Sequence, residues 1–179
     1  MTRHIQGVLE NLSRSRKDCS FDMGNLLKLQ DLIEEMDSQI DGYYTVVNKE
    51  NGQIISVSED ILRKVEDDEI DRDSHPDWEQ DVIDNAINIV ENEENYATIP
   101  SRFDIDEYSI MEDFVLAVKP EKVSDKLYTA IKGRGAFRRF KDSISELSVE
   151  EQWYQFKEQR LKEMAIEWCK EEGIAYFDE

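Results

Sequence analysis

The helical character of the chain is set by residues 133–173, which read GRGAFRRFKDSISELSVEEQWYQFKEQRLKEMAIEWCKEEG. After Gly135 the apolar residues recur every three or four positions, which is the spacing of one face of a helix. These residues are Phe137, Phe140, Ile144 and Leu147. Ser148 and Glu151 have the spacing of a capping box and predict the start of a second helix, which Gly173 ends. The stretch therefore predicts two consecutive helices joined by a short connection.

Aromatic residues on these two helices share a helical phase, which predicts that they meet in one core. The predicted core consists of Phe114, Phe137, Phe140, Trp153, Phe156 and Trp168. Helical spacing also extends toward the N-terminus, from Leu26 to Met36, from Asp77 to Val90, from Asp104 to Val118 and from Pro120 to Ile131. Asp77 with Gln80, and Asp104 with Glu107, are the predicted caps, and Trp78 begins the apolar stripe of its helix.

One segment has a different pattern. Residues Tyr43–Val57 are rich in β-branched and aromatic side chains, and Asn51-Gly52 lies between the two runs as a strong hairpin signal. We therefore predict a mainly α (α+β) fold with about six or seven helices and one small antiparallel β-hairpin at 43–57. Residues 1–22 are polar and predict a flexible tail, and residues 23–177 predict a single mainly helical domain.

Composition excludes several classes of protein. The 179 residues carry 42 acids and 22 bases, a net charge of −20, which disfavours a general DNA- or membrane-coating protein. Two cysteines and two histidines exclude a disulfide scaffold and a zinc site built from local Cys/His spacing. No signal peptide or membrane-spanning run is visible, so we expect a cytoplasmic protein with reduced thiols.

The usual catalytic and metal-binding motifs fail in this sequence. Residues 67–73 alternate carboxylates as a calcium loop does, but Arg72 stands where the loop needs glycine and Trp78 where it needs glutamate. There is no Gly-x-Ser-x-Gly, no cysteine with a supporting histidine in a suitable context, and no complete nucleotide-binding glycine motif. We therefore assign no catalytic residue, no metal ligand and no cofactor.

A basic segment interrupts the acidic chain. Residues 122–141 hold seven bases and one acid, whereas residues 21–121 hold seven bases and 28 acids. Gly133 and Gly135 place Arg134 in a tight corner between two helices, where the N–H groups that open the second helix favour an anion. The predicted anion- or partner-binding residues are Arg134, Arg138, Arg139, Lys141 and Arg102.

The anion could come from several sources, and the residues alone leave them open. Within the chain, the acidic counterparts would be Asp104, Asp106, Glu107 and Asp113. Outside it, a small anionic ligand or an acidic protein surface would fit. The two helices also have the spacing of a helix-turn-helix, but the net charge makes nucleic acid an unlikely partner. Paired with acid/base catalysis by Asp106, Glu107 or Asp113, the same arginines would instead clamp a phosphorylated or carboxylate substrate.

Two long motifs carry a resemblance to a known family. They read IPSRFDIDEYSIMEDF at residues 99–114 and GRGAFRRFKD at residues 133–142, and Trp153-Tyr154 and Trp168 follow them. With these motifs the chain resembles, over about residues 25–175, a bacterial uncharacterised protein family (UPF0158). The resemblance implies a cytosolic bacterial protein and transfers no activity. Our interpretation is a non-enzymatic binding or regulatory module, with a small enzyme as the alternative and a nucleic-acid-binding protein third.

Overall fold

A computed structural model describes residues 26–178, which form eight α-helices, five β-strands and two 3-10 turns. The helices are α1 Leu29–Asp37, α2 Glu59–Glu66, α3 Asp77–Glu91, α4 Arg102–Ile105, α5 Glu107–Ala117, α6 Glu121–Ala130, α7 Ala136–Glu146 and α8 Glu150–Glu172. The strands are β1 Leu27–Lys28, β2 Tyr43–Asn48, β3 Ile54–Ser58, β4 Tyr96–Thr98 and β5 Tyr176–Phe177. The mainly α fold with a small β element is confirmed. The tail predicted for residues 1–22 lies outside the described residues.

The predicted hairpin is confirmed and belongs to a larger sheet. Strands β2 and β3 pair antiparallel from Tyr43 opposite Ser58 to Val47 opposite Ile54. Strand β4 adds to the other edge of β2, with Val46 opposite Thr98, so the sheet has the order β3-β2-β4. A separate pair of two-residue strands, β1 and β5, runs parallel and joins the two ends of the described chain.

Gly52 in the hairpin connection is required by its surroundings. Its φ of +69° favours glycine, and a Cβ at this position would lie 2.3 Å from the backbone nitrogen of Leu27. The Asn48 side chain accepts hydrogen bonds from the backbone N–H groups of Glu50 and Asn51, which holds the turn in shape. The hairpin therefore packs its turn directly against the backbone of β1.

The three-stranded sheet separates two apolar cores, because successive strand residues point to opposite faces. Val46 of β2 lies in the smaller core, which α2 and α3 cover with residues such as Ala86 and Ile89. Val47, the next residue, lies in the larger core, which the remaining helices form. The sheet thus joins a small α/β layer to a helical body.

The larger core is organised around aromatic rings from three helices. Phe114 of α5 lies 5.4 Å from Trp153 of α8 and 6.2 Å from Phe140 of α7, measured between ring centroids. The rings of Phe140 and Trp153 are 4.8 Å apart at nearly right angles. Phe156 packs against Phe114, and Trp168 is buried in the same core, so the predicted aromatic core is confirmed for these five residues.

Phe137 is the exception to that prediction. Its side chain is 45% exposed, and its ring meets the edge of Tyr108 on the surface rather than the core. Ala136 and Phe140, four residues apart, occupy the buried positions of the first turn of α7. The buried face of α7 therefore follows Ala136 and Phe140, and Phe137, one residue after Ala136, points away from that face toward solvent.

Two predicted caps and one predicted core residue are also wrong. Pro76 precedes α3 without a side-chain cap, and Gln80 instead donates to the carbonyl of His75 and accepts from Arg72. Trp78 is 73% exposed because it lies in the first turn of α3, ahead of the first buried residue, Ile83. Helix α8 begins after Val149 with no side-chain cap, so the Ser148–Glu151 capping box does not form.

The aromatic core gives a direct stability prediction. Replacing Trp153 with alanine removes a ring that contacts Phe114 and Phe140, and should lower the free energy of unfolding by about 3–5 kcal/mol. Tyr154→Ala is the matched control, because that neighbouring side chain is 53% exposed and should change stability by less than about 0.5 kcal/mol. Urea denaturation measures both variants, and equal losses would contradict this view of the core.

Cys169 gives a second prediction. Burial in the core raises the pKa of its thiol to about 12, against an ordinary value of 9.0. In a Cys19→Ser variant, Cys169 should therefore resist iodoacetamide at pH 8 and react on unfolding. Since the unfolded thiol loses its proton first as pH rises, stability should fall between about pH 9 and pH 12, and Cys169→Ala should reduce that slope. Rapid alkylation of the folded chain would contradict the burial.

Candidate functional site

The predicted corner between α6 and α7 is present, and two glycines allow its backbone conformation. Helix α6 ends at Ala130, and α7 begins after Gly135. Gly133 and Gly135 have φ values of +76° and +81°, a region that other residues rarely adopt. The Tyr108 hydroxyl of α5 donates to the carbonyl of Ile131 at 3.1 Å, which fixes the start of the connection.

Arg139 closes this corner by binding backbone carbonyls. Its Nε donates to the carbonyl of Ala130 at 3.0 Å, and its terminal nitrogens donate to those of Lys132 and Arg134, both at 2.5 Å. These carbonyls belong to the end of α6 and its connection, where helical partners are missing and the dipole is negative. In this structure the Arg139 guanidinium therefore binds backbone carbonyls, and whether it also meets an anion stays a prediction.

The acidic residues predicted as counterparts are engaged elsewhere. Asp104 forms a reciprocal capping box with Ser101 at the start of α4, and these hydrogen bonds from the Ser101 side chain and backbone lower the pKa of the Asp104 carboxyl. Asp106, with φ of +42°, caps α5 by accepting from the N–H of Ser109 at 3.2 Å. The sequence placed this cap at Asp104 with Glu107, which is wrong by two residues.

Glu107 and Asp113 pair with cations of α8. Lys157 Nζ lies 3.0 Å from Glu107 Oε1, and Arg160 lies 2.7 Å from Asp113 Oδ2. Of the four acids predicted to meet the arginine corner, two are helix caps and two belong to this α5–α8 contact. In this structure these four acids are therefore engaged outside the corner, and the source of an anion at the corner stays open.

Lys157 joins three helices and was not found from the sequence. Its ammonium lies 2.5 Å from Asp37 of α1 as well as 3.0 Å from Glu107 of α5, and its side chain is 16% exposed. Burial by itself lowers the pKa of this lysine, but the two carboxylates outweigh burial and the pKa is raised. Nothing in the local spacing around Lys157 could have indicated partners so distant in sequence.

Arg102 serves a different part of the structure from the corner. Its guanidinium donates to the carbonyl of Gln39 and lies 3.4 Å from Asp41, both in the connection between α1 and β2. The Gln39 amide completes the contact by donating to the carbonyl of Pro100 at 2.6 Å. Arg102 therefore fastens the α1–β2 connection to the start of α4.

The remaining basic residues share one property. From Lys119 to Lys141 there are eight bases, and none of them lies at ion-pair distance from a carboxylate of residues 26–178. We call α6, α7 and their connection, residues 121–146, the basic helix pair. All seven of its bases are exposed; besides Arg139, whose guanidinium binds backbone carbonyls, they are Lys122, Lys126, Lys132, Arg134, Arg138 and Lys141.

Bases elsewhere in residues 26–178 behave in the opposite way. Nine of them pair with a carboxylate, and Lys170 is the exception. The paired bases are Lys28, Lys49, Arg63, Lys64, Arg72, Arg102, Lys157, Arg160 and Lys162. Within residues 26–178, ion pairs with carboxylates are therefore common outside the basic helix pair and are not formed by its bases. Whether Arg134, Arg138 and Lys141 bind an anion stays a prediction.

The basic helix pair presents a surface rather than a pocket. Five clefts have volumes of about 190 to 790 Å³, and none of them is lined by a base of this pair; the largest of the five lies between β1, α1 and the hairpin turn. Across residues 26–178 no group of three or more His, Cys, Asp or Glu is arranged to hold a metal ion.

Comparison with known proteins gives a family and little more. The model of the Uncharacterised protein family (UPF0158) matches residues 24–179. A UPF0158 protein of Pseudomonas aeruginosa is 30% identical over 66 residues, which cover 36% of this chain and 43% of that relative. No solved structure matches the chain. Within the described part, none of the helices combines the length and the apolar character needed to cross a membrane.

The role of Arg139 can be tested against its neighbour. Arg139→Ala should lower the free energy of unfolding by about 1–3 kcal/mol, because charge-assisted hydrogen bonds to carbonyls of the corner are lost. Arg138→Ala, at an exposed position with no carboxylate partner in residues 26–178, should stay within about 0.5 kcal/mol of the native chain. Chemical denaturation compares the two. If Arg138→Ala is the more damaging change, the assignment of Arg139 as the residue that closes the corner is wrong.

Proposed function

The chain belongs to an uncharacterised protein family (UPF0158), and on the surface described above we propose that it is a non-enzymatic binding module whose basic helix pair holds an anionic partner. The observation that carries the proposal is the segregation of bases: those between Lys119 and Lys141 lack carboxylate partners in residues 26–178, whereas nearly all others there have one.

This segregation is energetically unfavourable in the unbound chain. Like charges on neighbouring turns repel, as Lys122 and Lys126 do at a spacing of four residues on α6. The chain contains 42 acidic residues, so its composition offers enough carboxylates to neutralise these bases. An external anion would relieve the repulsion and gain the charge-assisted hydrogen bonds that the exposed arginines offer.

The shape of the surface supports a binding role over catalysis. A small substrate needs a concave site that excludes water, and none of the five clefts is lined by a base of the basic helix pair. The acids that the enzyme alternative requires are held in a helix cap and two ion pairs, at Asp106, Glu107 and Asp113. The proposal includes a cytoplasmic location, which the free thiol of Cys169 supports.

Cation-exchange chromatography tests the proposal. At pH 7 and low salt a chain with a net charge of −20 should pass through a sulfonate resin unless it carries a concentrated basic surface. We expect the native chain to be retained, and the triple variant Arg134→Gln, Arg138→Gln, Lys141→Gln to flow through.

The matched control removes the same charge from paired bases, with Lys28→Gln, Arg63→Gln and Lys64→Gln, and should be retained. Both triple variants keep residues 1–25 unchanged, so the comparison isolates the basic helix pair. If the native chain is not retained, or if both variants lose retention equally, the proposed function is wrong.

A further inference from the structure

Two aromatic side chains lie exposed among the bases of the basic helix pair. Tyr128 of α6 is 51% exposed, and Phe137 in the first turn of α7 is 45% exposed. Both rings are supported from one side. Lys132 Nζ lies 3.9 Å from the centre of the Tyr128 ring, and the Phe137 ring packs edge-on against Tyr108 at 6.3 Å.

The support of Phe137 is itself anchored. Tyr108 donates its hydroxyl to the carbonyl of Ile131, the residue that follows α6, so the ring that packs against Phe137 is fixed to the corner. Arg134 therefore lies in a short turn between Gly133 and Gly135 that Arg139 holds in place, and Phe137 follows in the first turn of α7. An exposed ring and a cation without a carboxylate partner in residues 26–178 are therefore presented close together.

The combination of cations and exposed aromatic rings on the basic helix pair favours some classes of anionic partner over others. Inorganic phosphate and acidic side chains need only the cations, and they leave a phenyl ring such as that of Phe137 without a contact. A single-stranded nucleic acid presents phosphates and unpaired bases alternately, so it uses both. A duplex hides the faces of its bases inside the stack and offers the rings nothing.

We infer that the basic helix pair binds single-stranded nucleic acid, with phosphates at Arg134, Arg138 and neighbouring lysines and with bases stacked on Phe137 and Tyr128. The inference rests on the proposed function and narrows its anionic partner to one class. The spacing of the lysines suits contact with successive phosphates of a nucleic-acid backbone. Lys122 and Lys126 are four residues apart on α6, about 6 Å along its axis.

The net charge of −20 does not prevent this contact. Exposed charges further away than about 8–10 Å are screened at physiological salt, so the local charge decides the contact. Within α6 and α7 the acids are Glu121, Asp125, Asp142 and Glu146, against seven exposed bases in the pair. The acids that dominate the total charge lie mostly in residues 21–121.

Fluorescence anisotropy with the full chain tests the inference. The probes are labelled single strands of about 15 nucleotides of mixed sequence, as RNA and as DNA, and a duplex of the same length, at about 50 mM salt. We expect either single strand to bind more tightly than the duplex, and the RNA and DNA arms show whether the 2′-hydroxyl contributes. Poly-L-glutamate of equal charge should compete poorly with the strand.

Variants separate stacking from charge. Phe137→Ala and Tyr128→Ala should each weaken binding by about 5- to 100-fold, and Tyr128→Phe should retain it. Tyr154→Ala, an exposed aromatic on α8, should have no effect. Arg138→Gln should reduce the slope of log affinity against log salt by about 0.7, whereas Phe137→Ala should leave that slope unchanged. Circular dichroism confirms folding, and Tyr128→Ala carries the test if Phe137→Ala fails to fold.

Three outcomes would overturn the inference. The duplex could bind as tightly as the single strands, the alanine variants could bind like the native chain, or poly-L-glutamate could displace the strand as well as unlabelled strand does. The last result would point to an acidic protein partner. If the sulfonate resin still separates the two triple variants, the proposed function survives any of these outcomes; if it does not, both proposals fail.

Discussion

The guanidinium of Arg139 sets the conformation on which the rest of the candidate surface depends. It satisfies carbonyls that α6 leaves without helical partners, and it does so from the first turns of the next helix. A turn of five residues, 131–135, can then reverse the chain between α6 and α7. Arg139 is engaged by these carbonyls, whereas Arg134 and Arg138 are exposed and have no carboxylate partner in residues 26–178.

The aromatic core holds α7 in place at this corner. Two carboxylates of α5 pair with other cations and are not available to it. Phe140 anchors α7 on Trp153 and Phe114, so the exposed residues of α7 have a rigid base. Cations of α8 meanwhile take up the carboxylates of α5, through Lys157 with Glu107 and Arg160 with Asp113. Contacts that stabilise the helical body therefore remove the acids that would otherwise neutralise the basic helix pair.

Local signals in the sequence predicted the elements well and their tertiary partners poorly. The Asn51-Gly52 hairpin, the glycines around Arg134 and the end of α8 at Gly173 depend on backbone chemistry within a few residues, and all three are confirmed. The third strand, β4, pairs with a segment about fifty residues away, which no local pattern of three residues can specify. Phe137 was assigned to the core because a spacing of three fits a helical stripe, and the structure gives that place to Ala136.

The candidate site shows the same division between local and distant chemistry. The basic segment was visible as a charge block, and Tyr128 with Lys132 has the four-residue spacing that could have indicated their contact. The partners of Arg139 and Lys157 were not visible, because a guanidinium bound to carbonyls and an ammonium shared by two distant helices leave no pattern along the chain. The excess of basic residues therefore indicated the surface from the sequence. Only the fold showed that Arg139 binds backbone carbonyls whereas Arg134 and Arg138 do not.

The measurement that tests the central claim most directly is a titration of the isotopically labelled full chain with polyphosphate, followed by amide chemical shifts. Polyphosphate has the charge of an extended anionic partner and no bases, so it probes anion binding alone. The account predicts that the largest shifts fall on residues 122–141, with Gly133 and Gly135 among them. Shifts spread evenly over the chain, or concentrated in the Gln39–Tyr44 region near Arg102, would contradict it.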